Sequence, residues 1–346
     1  MSELDVTNFI DSQPSLETSW RSIILLGRNV ASYKFSLAQT LLEYSKKDSF
    51  ISLEELALPF AKNICNHLKE NEKQITSTSS KFLEYCKKYN AGSVSESDLQ
   101  VQSTKLGFVN VIDAFHNVSG GEVVRFFEDT RDRNKGIILT DNYYKLYENE
   151  QKDNLKLEVN SRWRLWETAI SLNINPSLLE INADQSSQRL FVINENKKRV
   201  DVTSSRDALN GYQKGKCFYC HKPIQILQGF ENSCDVDHFF PHLLKDKPGT
   251  RNLDQVWNLV LSCRDCNRGP AGKFGKIPDL KYLNHLFKRN NYFIESHHPL
   301  RETILNQTGN SLESRKQFLQ RVFDTATSYI PTAKKWTPSE TFEEIL

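Results

Sequence analysis

Two CxxC pairs, Cys217-Phe218-Tyr219-Cys220 and Cys263-Arg264-Asp265-Cys266, constrain this chain more than any other feature. Two thiolates separated by two residues turn onto one ion, and two such pairs complete the closed tetrahedral shell of structural zinc. One ion would then staple together the two ends of the long segment between the pairs. Four protein ligands leave no open position, so this zinc would hold structure and not catalyse. A disulfide framework fits less well. The cysteine count is seven, Cys65 and Cys86 stand apart, and the first apolar run, Ile23 to Leu26, is too short for an export signal. The run from Cys217 to His221 also matches the CxxCH pattern of haem attachment, but that reading gives Cys263 and Cys266 no role. A thioredoxin-like pair needs a βαβ setting, and the pattern shows none. Cys234 reads as a buried strand residue and not as a fifth ligand.

The segment between the pairs holds Asp235-Val236-Asp237-His238-Phe239-Phe240-Pro241, and Trp257-Asn258-Leu259-Val260-Leu261 leads into the second pair and Asn267. Asp-His-x-x-Pro, Trp-Asn-Leu-Val-Leu and Cys-x-x-Cys-Asn, in this order over about residues 205–275, resemble the HNH endonucleases of the ββα-metal fold, which include prokaryotic restriction and defence nucleases. The resemblance covers less than a quarter of the chain. It implies that His238 is the general base for the attacking water and that Asp237 and Asn267 hold a catalytic Mg²⁺ or Mn²⁺. It also implies that Asn258 steadies the histidine, and that DNA is the substrate.

General chemistry supports the same roles. An imidazole titrates near neutrality, so it serves as a base at cellular pH. A carboxylate and an amide oxygen are hard donors suited to Mg²⁺. Asp235 lies two residues before Asp237, hence on the same side of a strand, and reads as a solvated aspartate.

The net charge of +2 excludes a globally basic chain, so nucleic-acid affinity requires a local patch. Such a patch follows the second pair: Arg264, Arg268, Lys273, Lys276, Lys281, Lys288 and Arg289 face only Asp265 and Asp279. We read Lys273, Arg268, Arg264 and Lys276 as phosphate contacts, which position a duplex without reading its sequence. His297-His298-Pro299-Leu300-Arg301 reads as a helix start and not as a second metal site.

Upstream, the pattern is mainly helical. Val30, Tyr33, Leu37, Leu41 and Tyr44 recur at helical spacing over 29–47. Ser52 with Glu55 predicts a capping box, and Pro59 a bend soon after. Ser79 or Ser80 caps a helix over 81–89, with Gly92 beyond its end. The helical tendency continues over 106–115, Gly120-Gly121 breaks it, and 137–140 reads as a strand. A helix over 157–172 ends before Asn175-Pro176. Within it, Arg162, Trp163, Arg164 and Trp166 interleave charge and rings as a nucleic-acid grip would. We read the tryptophans as core and the arginines as solvated, and His67 and His116 as ordinary helix or loop residues. Residues 182–188 read as a connection before strands at 190–193 and 199–203 and a short helix capped by Ser204 or Ser205.

The expected protein is α+β: a helical recognition, partner-binding or regulatory region (1–185), a zinc-stabilised HNH domain (186–300) and a helical extension (301–346). No stretch approaches the roughly 20 apolar residues of a membrane span, so a cytoplasmic home is expected. The expected activity is metal-dependent DNA cleavage in restriction or anti-phage defence. Two alternatives stay open: a subunit silent until joined by an ATPase or sensor protein, and a zinc module that binds nucleic acid without cutting it.

Overall fold

A computed structural model describes residues 15–26, 31–45, 48–77, 79–118, 121–122, 124–149, 152–172, 175, 179–184, 189–193, 198–202, 208–226, 233–245, 247–250, 252–330 and 335–342. It is a mixed fold of helices and small antiparallel sheets. No described helix is long and apolar enough to cross a membrane.

Serine side chains start several of the early helices. After α1 (Leu16–Leu26), α2 (Tyr33–Glu43) and the short strand β1 (Phe50–Ser52), Ser52 opens α3 (Leu53–Glu70) with a complete capping box. The bend expected at Pro59 does not end this helix. Leu56, Phe60, Ala61 and Ile64 are buried along it, and that burial outweighs the one hydrogen bond that proline forfeits. Ser80 and Ser95 cap α4 (Lys81–Asn90) and α5 (Glu96–Leu106), and α6 (Val111–Phe115) follows.

Next come β2 (Asn117–Val118), β3 (Gly121–Glu122), β4 (Phe127–Asp129), α7 (Arg131–Asn134), β5 (Gly136–Leu139) and α8 (Asp141–Tyr147). The strand expected at 137–140 is β5, and it sits centrally in a sheet of order β1-β5-β4. Its partners are three residues long, too short for an alternation to show in sequence.

The 20-residue helix α9 (Lys152–Ser171) joins two cores. One face sends Leu155, Val159, Trp163, Trp166 and Ile170 into a cluster with residues of α1 to α6, α8, β1, β4 and β5. The other sends Leu165 and Ala169 into a second cluster with β-strand and C-terminal residues. Both tryptophans are core residues, as expected. The arginines are not solvated: Arg162 is buried and meets Glu302 at 3.5 Å, and Arg164 pairs with Glu70 and Glu167. A helix buried on both faces must pair its charges, because an unpaired buried charge is costly. His67 stacks on Trp163 and meets Glu167 at 2.8 Å, a packed core histidine.

Three antiparallel strands follow in spatial order, β6 (Asn182–Asp184), β7 (Arg189–Ile193) and β8 (Arg199–Asp201). β6 occupies part of the expected connection, and the cap at Ser204 or Ser205 lies outside the described residues. The remaining elements are α10 (Asn210–Gln213), β9 (Asp235–His238), β10 (Leu259–Ser262), α11 (Arg264–Arg268), α12 (Leu280–Glu295), α13 (Arg301–Thr308) and α14 (Leu312–Tyr329). A third core gathers Phe218, Tyr219, Phe240, Trp257, Leu286 and Phe323 around the cysteines.

Candidate functional site

The two CxxC pairs converge. The Sγ atoms of Cys217, Cys220, Cys263 and Cys266 all lie within 4.8 Å of one another, and all four residues are buried. Cys220 and Cys263 stand 3.7 Å apart, close to the ~3.8 Å between thiolates on a tetrahedral ion with bonds of about 2.3 Å. The cluster is a metal-binding arrangement compatible with structural zinc. Cys263 also caps α11, its sulfur accepting the Cys266 N–H at 3.5 Å. Hydrogen bonds from Cys217, Cys220 and Cys266 hold the Cys263 thiol far below the usual thiol range. Cys234 is buried just before β9 and outside the cluster.

Between the pairs, β9 and β10 form an antiparallel hairpin with His238 opposite Leu259 and Asp237 opposite Val260. α11 follows β10 directly and packs on β9. Gln213 exchanges two hydrogen bonds with Leu261, extending the hairpin edge, and Arg289 donates to the Leu259 and Val256 carbonyls.

His238 ends β9 and is buried. Its Nε2 lies 3.1 Å from Asp254 Oδ1, a contact that the motifs do not announce. Asp254 also receives Lys245 at 2.5 Å and His242 at 3.3 Å. Burial alone would lift the Asp254 carboxyl, but hydrogen bonds from His238 and Lys245 outweigh it and pull the pKa down to about 2. An ionised carboxylate only accepts, so a His238 proton belongs on Nε2, and in the neutral ring the lone pair is then on Nδ1. Nδ1 is buried and has no hydrogen-bond partner among the described residues.

Asn258 does not touch the imidazole. Its Oδ1 accepts the Phe240 N–H at 2.8 Å, and its Nδ2 donates to the Phe240 and Leu253 carbonyls. It steadies His238 through the backbone that follows it, because its place before β10 faces that turn and not the ring.

Asp237 and Asn267 each have partners of their own. Asp237 Oδ2 accepts from the Tyr219 hydroxyl at 2.7 Å, and Oδ1 lies 3.2 Å from the Lys273 ammonium. Asn267 Nδ2 donates to Asp235 at 3.0 Å, and Arg268 meets the same carboxylate. Asp235 is therefore buried and paired, not solvated. The donors suit Mg²⁺ in kind, but as arranged they do not form its ligand set: a lysine stands at Asp237, and Asn267 serves Asp235.

The basic stretch divides. Arg264, Arg268 and Lys276 are exposed, whereas Lys273 is fully buried and donates to the His238 carbonyl at 2.8 Å. A buried ammonium cannot reach a phosphate in solution, so Lys273 does not fit the phosphate-contact reading. Burial raises the Asp237 carboxyl and lowers the Lys273 ammonium, each shift opposed by the other's charge. Lys273→Ala is expected to destabilise the fold by about 3–5 kcal/mol, since removing one partner strands the other in the core. Equal denaturation midpoints for variant and parent would show that the pair contributes nothing.

His297 and His298 precede α13, as expected. His298 is buried against Phe293, and burial pushes its pKa well below the usual value. Comparisons with protein-family models, curated proteins and solved structures return no match.

Proposed function

We propose that the chain is an HNH-type endonuclease that hydrolyses a DNA phosphodiester bond. One observation carries this reading. At the end of the first strand of a cysteine-bracketed ββα unit, a histidine is held at Nε2 by a carboxylate and has an unpartnered Nδ1. That is the state a general base needs: the proton parked on one nitrogen and a lone pair that no protein group uses on the other.

In this reading a water approaches Nδ1 and gives up its proton as its oxygen attacks phosphorus, the bond from phosphorus to the 3′-oxygen breaks and that oxygen takes a proton from solvent, while Asp254 stabilises the imidazolium that forms. Lys273 fixes the base from behind by holding the His238 carbonyl. Exposed Arg264, Arg268 and Lys276 position the phosphate backbone. Zinc at the four cysteines keeps hairpin and helix together. A divalent ion remains part of the proposal as a requirement to be measured. Restriction or anti-phage defence is the proposed setting, by analogy with where HNH enzymes work. Activation by an ATPase or sensor subunit is the second form of this reading, and the large helical body built on α1 to α9 gives such a partner a surface.

The test is direct. Purified protein is incubated with plasmid, single-stranded DNA and RNA, with Mg²⁺, Mn²⁺ or neither. Nicking or linearisation that depends on the added ion is expected. A chain that binds DNA under all these conditions yet never cuts it would be the non-cleaving zinc module instead.

A further inference from the structure

The loop after α11 turns a large apolar side chain outward beside His238. Phe274 is 54% exposed, and Leu243, from the turn after β9, is 58% exposed. Leu243 comes from a separate segment and lies against the residue after Phe274: a Cβ on Gly275 would meet Leu243 Cδ2 at 2.5 Å. Both rim the same site. Phe274 follows Lys273, which holds the His238 carbonyl, and Leu243 follows His242, which meets the carboxylate that faces His238.

The loop that carries Phe274 is pinned. The Phe274 N–H donates to the Asn267 carbonyl at 3.0 Å and the Lys273 N–H to the Cys266 carbonyl at 2.7 Å, which ties the loop to the cysteine cluster. Phe274 itself has a φ of 45°. A bulky residue is uncommon in this left-handed region and persists where its surroundings fix it. A loop that only had to turn would place glycine or asparagine there.

His242, Lys245, Arg268 and Lys276 reach solvent around the pair. Asp254 pairs with His242 and Lys245, and Asp235 with Arg268, whereas exposed Lys276, two residues after Phe274, meets no carboxylate among the described residues. Apolar side chains fixed among cations complement a polyanion that carries flat apolar faces, which describes a nucleic acid with an accessible base. Protein interfaces, by contrast, deplete lysine around their apolar centres.

We propose that Phe274 and Leu243 form a fixed apolar ridge that packs against an unstacked base of the nucleic acid whose scissile phosphate lies at His238. The proposal rests on the nuclease reading and gives it a substrate class: a strand with a base free of the stack, single or kinked. A preset ridge loses little freedom on binding, which favours affinity.

Phe274→Trp places a reporter on the ridge, and the native tryptophans are all buried. Its emission is followed in the full chain with a phosphorothioate single strand, which resists hydrolysis, and with inorganic polyphosphate as a polyanion without bases. Quenching by the strand alone is expected. Phe274→Ala should weaken binding of the strand roughly 5- to 150-fold, the span of base–aromatic stacking. An abasic position opposite the ridge should erase that difference. Emission indifferent to the strand, quenched equally by polyphosphate, or changed by protein concentration alone overturns the ridge. A chain that quenches but never cleaves would sink the nuclease reading and leave the ridge; cleavage with a silent tryptophan would do the reverse.

Discussion

Cys217→Ser and Cys263→Ser are expected to unfold the cysteine-bracketed region and to lower bound zinc from about one per chain, the count that four thiolates imply. Closed zinc sites bind with about 10–16 kcal/mol in small domains, comparable to the whole stability of a typical fold at about 5–15 kcal/mol. Losing a ligand here should therefore move the thermal midpoint far more than an ordinary core substitution. The two positions separate metal from local effects. Cys263 also caps α11, and serine is itself a good cap, so Cys263→Ser keeps the cap and loses only the ligand. Cys217 has no capping role, yet its substitution should cost about as much. Cys234→Ser supplies the control, since Cys234 is equally buried but outside the cluster. Zinc-free protein of unchanged stability, with all three variants alike, would remove the structural ion from this account.

The knuckle and hairpin were readable because covalent spacing and local chemistry dictate them. Two CxxC pairs bring four thiols to one point whatever lies between, and alternation places Asp235 and Asp237 on one side of β9. The capping box at Ser52 and the buried Trp163 and Trp166 were readable for the same local reasons. What escaped depends on loops returning from a distance. Asp254 reaches His238 from 16 positions on and Tyr219 reaches Asp237 from 18 back, and no periodicity marks either. Asn258 was expected on the ring because its motif neighbours His238, whereas the turn between them uses the amide for its own backbone groups. Lys273 was placed with the solvated cations because composition cannot reveal which one of a basic run folds inward. Its signal was the flanking glycines, Gly272 and Gly275, which let the loop close tightly. β1 and β4 are too short to alternate visibly, and Arg162 needed Glu302, a residue of the far end of the chain, to be seen as buried.

His238→Ala should reduce cleavage by about a hundredfold to ten-thousandfold, the usual contribution of a positioned general base. Zinc content and nucleic-acid affinity should change little, because the ring touches neither the cysteines nor the proposed phosphate contacts Arg264, Arg268 and Lys276. The ring is buried, so its removal also leaves a cavity, and a denaturation curve must accompany the rate. Asp254→Ala separates the base from its support: the imidazole stays but loses the carboxylate at Nε2. Its rate should fall between native and His238→Ala, and ring ¹⁵N shifts of His238 should show loss of the Nε2-protonated form. Asn258→Ala should slow cleavage more weakly and destabilise more, since it releases three backbone hydrogen bonds and leaves the ring partner intact. That ordering follows from where each side chain acts: on the water, on the imidazole, and on the backbone behind it. Preparations of His238→Ala that are free of contaminating nuclease and still cut DNA at nearly the native rate would exclude His238 as the base, and with it the HNH mechanism for this chain.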